Sequence, residues 1–272
     1  MRDYFAKDCN SLLEKRLWLL DMDGTVYIGD RLFSGIKELL QELKRQNKQV
    51  VFITNNSSKG KGDYVKKLRR LGVEVNKDDF YTSVDATVEV LKREQNGKTV
   101  YVQGTKSFIK ELKNKGIKVV TKEREEIDCV VVGFDTELTH EKLLTTCKVL
   151  KKDLPYYATN PDWVCPTEFG YVPDCGSMCY GIEKATGRKP KFIGKPNPFI
   201  VLEAIKKFGA TMEETVVVGD RIYTDIMAGI NAKVQTLLVL SGESTVSDYE
   251  RSEDKPDFVL ENLAQVKEGF NE

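Results

Sequence analysis

The chain has 272 residues, 40% of them apolar and 31% charged, an ordinary globular composition in a length that buries roughly three quarters of the unfolded surface. Lysine plus arginine and aspartate plus glutamate number 42 each, so no excess of positive charge favours nucleic acid or an anionic membrane. No apolar run reaches the roughly 20 residues that span a bilayer, the start Met1-Arg2-Asp3-Tyr4-Phe5 lacks a signal-peptide layout, and six sparse cysteines make no disulfide framework; a cytoplasmic protein with reduced thiols is expected.

Hydrophobic patterning alternates between strands and amphipathic helices. The N-terminal half reads as strand Leu17–Leu20, helix Gly35–Gln46, strand Gln49–Ile53, helices Lys59–Leu71 and Val84–Glu94, strand Lys98–Val102, helix Lys106–Lys115 and strand Asp128–Val132. The remainder reads as helix His140–Lys151, strand Pro155–Ala158, helix Ser177–Thr186, strand Lys191–Ile193, helix Asn197–Phe208, strand Thr215–Val218, helix Ile222–Ala232 and strand Val234–Leu240. This order predicts an α/β fold, a doubly wound, mainly parallel sheet with helices on both faces. The lysine-rich window Lys106 to Glu126 mixes basic residues with glutamates and reads as a solvated helix face and loop. His140 is the single histidine, so Ser–His–Asp and Cys–His catalysis have one candidate base, and a zinc site would need all-cysteine ligation. Gly60-Lys61-Gly62 lacks a third glycine, and Gly176 and Gly181 are followed by Ile182 and Glu183, so no nucleotide loop is supported.

Chemistry concentrates where apolar strands end. Leu17–Leu20 runs into Asp21-Met22-Asp23-Gly24-Thr25, Val50–Ile53 into Thr54-Asn55-Asn56, Lys191–Gly194 into Lys195-Pro196-Asn197-Pro198, and Val216–Gly219 into Asp220, with Asp225 five residues on. In an open α/β sheet the ligand sits beyond the carboxyl ends of the strands, so parallel strands would bring all four segments to one crevice. Clustered carboxylates repel unless a cation or proton relieves them, and Mg²⁺, with its preference for oxygen ligands, suits them. Lys195, Thr54 and Asn55 suit a phosphate; one aspartate can attack phosphorus while a second, two residues on, moves the proton.

Asp-x-Asp-Gly-Thr, Thr-Asn-Asn, Gly-Lys-Pro and Gly-Asp-x-x-x-x-Asp, in this order, resemble the haloacid dehalogenase superfamily of phosphatases. The match is closer to its NagD-like, 4-nitrophenylphosphatase branch, which also shows stretches like Ala158-Thr159-Asn160-Pro161-Asp162, Cys175-Gly176-Ser177 and Gly187-Arg188-Lys189-Pro190. The resemblance runs from about Leu17 to Gly242. It implies Asp21 as nucleophile, Asp23 as general acid/base, and Asp21, the Asp23 backbone carbonyl and Asp220 as Mg²⁺ ligands. Asp225 resembles a supporting carboxylate behind the metal or Lys195, and Thr54, Asn55 and Lys195 resemble the phosphate-binding groups.

Spacing locates a second domain. Asp23 and Thr54 are 31 positions apart, room for one helix and one strand; Thr54 and Lys195 are 141 apart, far more than one crossover needs. A smaller α/β cap over 83–176 is therefore expected, with the catalytic core formed by 1–82 and 177–272, and Phe80–Ser83 and Asp174–Ser177 as hinges. By resemblance the Asn160-to-Tyr171 loop faces the site, making Asn160, Asp162 and Cys165 candidate substrate contacts. The expected reaction is Mg²⁺-dependent hydrolysis of small phosphomonoesters, nucleotide or sugar monophosphates, through an aspartyl phosphate. A phosphomutase and a non-catalytic phosphometabolite sensor are the alternatives. Nucleic-acid and membrane partners are not expected; caps of this class mediate dimers in relatives, which allows a homodimer through the cap.

Overall fold

A computed structural model describes residues 1–167 and 169–270. The strands in chain order are β1 (Leu17–Leu20), β2 (Tyr27–Ile28), β3 (Arg31–Leu32), β4 (Gln49–Thr54), β5 (Phe80–Thr82), β6 (Thr99–Gln103), β7 (Lys118–Val120) and β8 (Cys129–Val132). They continue as β9 (Tyr156–Ala158), β10 (Val164–Thr167), β11 (Gly170–Pro173), β12 (Lys191–Phe192), β13 (Thr215–Gly219), β14 (Gln235–Val239) and β15 (Phe258–Leu260). The chain divides into two compact units, one comprising 1–54, 65–81 and 195–272 and the other 55–64 and 82–194.

The first unit holds a six-stranded sheet in the order β15-β14-β13-β1-β4-β5. β1 is parallel to β13 on one side and to β4 on the other, with Leu20 opposite Val218 and Phe52. Every residue of β1 and β13 is buried, as continuous apolar strands covered on both faces require. Helix Ile36–Arg45 buries Ile36, Leu39 and Leu43, one face of a 3.6-residue repeat. The chain leaves β1 toward β4 and returns to its other side at β13, so β1 lies at the point where the winding reverses, the place where such sheets open a crevice.

The second unit has its own five-stranded sheet, β12-β9-β8-β6-β7, with parallel pairing throughout. Its core gathers Tyr101, Val130, Val132, Phe134, Val149 and Tyr156 against the helix Cys175–Thr186. Asp174 caps that helix, accepting a hydrogen bond from the Cys175 backbone, and Thr82 with Asp85 forms a capping box at the start of helix Ser83–Glu94.

The expected elements are present, and five details differ from the sequence reading. The strand before Lys195 is not in the sheet of β1: β12 pairs with β9 and belongs to the second unit. That pairing carries the second unit on to Gly194, past the expected boundary at 176. The stretch after Asn160 is an antiparallel hairpin, β10–β11, rather than a plain loop. Within the lysine-rich window, Lys118–Val120 adds an edge strand beside β6. Both proposed hinges are regular structure: Phe80–Thr82 is a strand, and Asp174–Ser177 is a helix cap and first turn.

Candidate active site

The Asp21 backbone N–H donates to the Val218 carbonyl at 2.9 Å, extending the β1–β13 ladder by one residue. Asp21 therefore leaves the sheet beside Asp220, the residue after β13. Asp220 is held in a tight enclosure. Its Oδ2 accepts from the Glu243 backbone N–H at 2.8 Å, and its Oδ1 lies 3.5 Å from the Thr25 hydroxyl. Two glycines make room for it: a Cβ on Gly24 would stand 2.3 Å from Asp220 Oδ2 and one on Gly242 2.1 Å. Gly24 also has φ of +89°, a left-handed conformation that favours glycine.

A π-helical turn, Ile222–Ile226, follows and brings Asp225 back over the strand end. There the Arg221 backbone N–H donates to Asp225 Oδ2 at 3.1 Å. A Cβ on Gly219 would fall 2.2 Å from the Asp225 Cβ, so this approach also depends on a glycine.

Asp21, Asp220 and Asp225 each offer a carboxylate oxygen within 4.8 Å of the others. The buried Lys195 ammonium donates to Asp21 Oδ1 at 2.5 Å and to Asp225 Oδ1 at 2.6 Å. Arg221 pairs with Glu243 at 2.8 Å, so its charge is already matched. Three carboxylates against one ammonium leave two negative charges in a buried space. Burial pushes Asp21 well above the usual carboxylate range; Lys195 pulls it back, and Asp225 and Asp220 add to the rise. Asp220 is pushed up to about 7, first by burial and then by Asp225, against the opposing Glu243 N–H and Arg221. Burial alone would lower Lys195, but the Asp21 and Asp225 carboxylates outweigh it and raise the lysine. A hard, all-oxygen donor set with a residual charge of this size fits a divalent cation.

The remaining expected residues sit as follows. Asp23, on the loop after Asp21, accepts from the Tyr27 phenol at 3.2 Å and lies 3.7 Å from the Lys67 ammonium. Thr54 is buried at the end of β4, next to β1 in the sheet. Asn55 belongs to the second unit, where its amide donates to both Asp162 oxygens at 3.1 Å. Asn160 is fully buried with both ends of its amide engaged: it donates to Asp174 and accepts from Thr159. Cys165 is half-buried on β10. Sequence reasoning missed Tyr27, Lys67, Arg221, Glu243 and Gly242. Only Arg221, directly after Gly-Asp, carries a local hint; the others meet the site through the fold.

Two family models match the chain, "haloacid dehalogenase-like hydrolase" over residues 18–118 and "HAD-hydrolase-like" over 192–266. An acid sugar phosphatase of Staphylococcus saprophyticus is 34% identical over 251 residues, 92% of this chain and 96% of that protein. The crystal structure of a 4-nitrophenylphosphatase from Thermotoga maritima is similar with a TM-score of 0.90 and 44% identity, covering 95% of this chain and 98% of that one. A glycerol phosphate phosphatase from Mycobacterium tuberculosis, crystallised with magnesium, has a TM-score of 0.87 and 28% identity over 94% of this chain and 77% of that one. With the aspartates of its first and last motifs gathered at adjacent strand ends, the chain belongs to the haloacid dehalogenase-like hydrolases, within their NagD-like phosphatase branch, and is a hydrolase of phosphomonoesters.

Proposed function

We propose that this chain is a Mg²⁺-dependent phosphatase of small phosphomonoesters, such as nucleotide or sugar monophosphates and 4-nitrophenyl phosphate, working through a phosphorylated Asp21. The observation that carries this reading is the Asp21–Asp220–Asp225 cluster clamped by Lys195. The named activities of the relatives and the magnesium bound by one of them support it.

Asp21, the Asp23 backbone carbonyl and Asp220 would hold the ion, which when bound neutralises phosphate charge and orients the phosphoryl group. Lys195 fixes one oxygen of Asp21 and leaves the other to attack phosphorus. As the Asp21 oxygen–phosphorus bond forms, the ester oxygen–phosphorus bond breaks, and the Asp23 carboxyl proton passes to the departing oxygen to give the alcohol. Water then attacks the phosphorus of the acyl phosphate and gives its proton to the Asp23 carboxylate. Inorganic phosphate leaves and Asp21 is restored. Asp225 keeps Lys195 in place, and Thr54 and Asn55 serve as phosphate donors.

The second unit, centred on 83–176, is read as the cap that excludes water and selects the leaving group, with Asp162 and Cys165 as its substrate-side candidates and Asn160 holding the preceding turn. Phe169 and Tyr171, exposed on the β10–β11 hairpin, are where a homodimer through this unit would bury apolar surface; light scattering tests it. Six unbridged thiols suit a reducing, cytoplasmic setting.

Turnover of 4-nitrophenyl phosphate with and without Mg²⁺, followed by a panel of sugar, nucleotide and glycerol phosphates, tests the reading. Asp21→Asn should fold normally and lose turnover by at least about a thousandfold. Retained turnover in that variant would remove Asp21 as nucleophile.

A further inference from the structure

Asp23 is half-exposed on a turn, with a side-chain exposure of 48%, yet it is gripped from two sides. Tyr27 is fully buried, and its phenol donates to Asp23 Oδ2 at 3.2 Å. The Tyr27 backbone is itself pinned. Its carbonyl accepts from Gly24 N–H at 2.8 Å, its N–H donates to Met22 at 3.2 Å, and it pairs with Leu32 across the β2–β3 hairpin. Lys67, on the helix Lys61–Arg70, places its ammonium 3.7 Å from Asp23 Oδ1 and 3.7 Å from the centre of the Tyr27 ring. Each oxygen of the carboxylate thus faces a different partner, and the partners lie against each other.

A pair as long as Lys67–Asp23 with a half-exposed acid contributes little to folding. A lysine on a strongly basic helix could equally extend into water. Its folded-over position lays the ammonium on the Tyr27 ring and beside Asp23 Oδ1 at once, so that it bounds the carboxylate on the side opposite the phenol. An untethered aspartate on a turn samples several rotamers, whereas proton transfer needs the carboxyl within hydrogen-bond reach of the accepting oxygen.

We propose that Tyr27 and Lys67 are positioning residues that hold the Asp23 carboxyl in the orientation from which it protonates a departing ester oxygen. This rests on the reading of Asp23 as general acid. In the step concerned, the P–O ester bond breaks, the Asp23 proton moves to the released oxygen, and Asp23 is left as a carboxylate. The need for that proton rises with the basicity of the leaving group. 4-Nitrophenolate leaves almost unaided; a more basic phenolate does not.

The test is kcat/KM for a series of substituted phenyl phosphates, from 4-nitrophenyl to unsubstituted and alkyl-substituted phenyl, in wild type, Tyr27→Phe and Lys67→Met. Both variants keep the bulk of the side chain, and circular dichroism checks their folding. Turnover of the most basic leaving groups should fall about tenfold or more while 4-nitrophenyl phosphate changes less than about threefold, so the dependence on leaving-group basicity steepens. An equal loss on all substrates, or no loss on any, overturns the proposal. Asp23→Asn on the same series separates the two readings. If it keeps turnover of basic leaving groups, Asp23 is not the acid. If it loses them while Tyr27→Phe and Lys67→Met keep the wild-type slope, the acid stands and its positioning by this pair does not. Should Tyr27→Phe fail to fold, Lys67→Met decides alone.

Discussion

The chemistry of this chain is set by how close three aspartates are allowed to come. Burial, and then the neighbouring Asp225 carboxylate, push Asp220 up to about 7 from its ordinary 3.8. A carboxylate whose folded value is raised binds its proton more tightly in the native state than in the unfolded one. Its contribution to stability is therefore greatest below about pH 4 and is lost as pH rises toward 7. The metal-free protein should show this loss across that window relative to Asp220→Asn, which has no such group to titrate. Thermal melts in chelator from pH 4 to 8 read the difference, and a wild type that gains stability relative to Asp220→Asn as pH rises would contradict the assignment. A divalent cation must displace the same proton, so its affinity should climb by up to about tenfold per pH unit below 7. Gly242 gives a second prediction at this scale. An alanine Cβ there would stand 2.1 Å from Asp220 Oδ2, so Gly242→Ala should weaken Mg²⁺ binding by about tenfold or more, measured by calorimetry.

Much of this was legible at the level of single residues. Asp21, Asp220 and Lys195 each follow directly on an apolar strand or a glycine turn, and that position announces a crevice residue. Glu243 and Lys67 stand in stretches that look like any solvated loop or helix. Nothing local distinguishes a lysine folded over Tyr27 from its neighbours Lys66 and Arg70, because the distinction arises only when β2–β3 and the helix meet.

Among the elements, the long apolar strands and the helices with clear faces were legible; the two-residue strands β2 and β3 were not, and β12 was legible as a strand but not in its partner. β12 is the instructive case. Its two residues, Lys191 and Phe192, carry too little pattern to say which sheet they join, and they pair with β9 rather than with β1. Lys195 nonetheless reaches Asp21, since Ile193 and Gly194 intervene between β12 and it. The hairpin β10–β11 was hidden in the same way, its alternation broken by Pro166 and Pro173. The second unit also carries a charge that its core must neutralise. Asp135 has no exposed side-chain surface and is matched by Lys142 at 2.8 Å. Lys142→Met should destabilise the chain by about 3–5 kcal/mol, because it strands a buried carboxylate, and adding Asp135→Asn should recover part of the loss. Denaturant titration of the single and double variants measures both; a neutral Lys142→Met would show that Asp135 finds other company.

On the scale of the whole molecule, the two units have separate sheets and separate cores, and the carboxylate cluster lies in the first. Bound Mg²⁺ should slow amide exchange at 21–25, 219–225 and 241–244 while leaving β6, β8 and β9 at their metal-free rates. Hydrogen exchange with and without the ion reads this directly, and uniform protection across both units would contradict it.

The central place of β1 has a further consequence, for biosynthesis. β1 leaves the ribosome well before its neighbour β13, which lies almost 200 residues downstream. At about 5–20 residues per second, the strand that leads into Asp21 waits about 10–40 s with one flank bare. Nascent chains halted before Thr215 should accordingly recruit chaperones, and release from them should coincide with emergence of the Gly219-Asp220 segment that completes the carboxylate cluster.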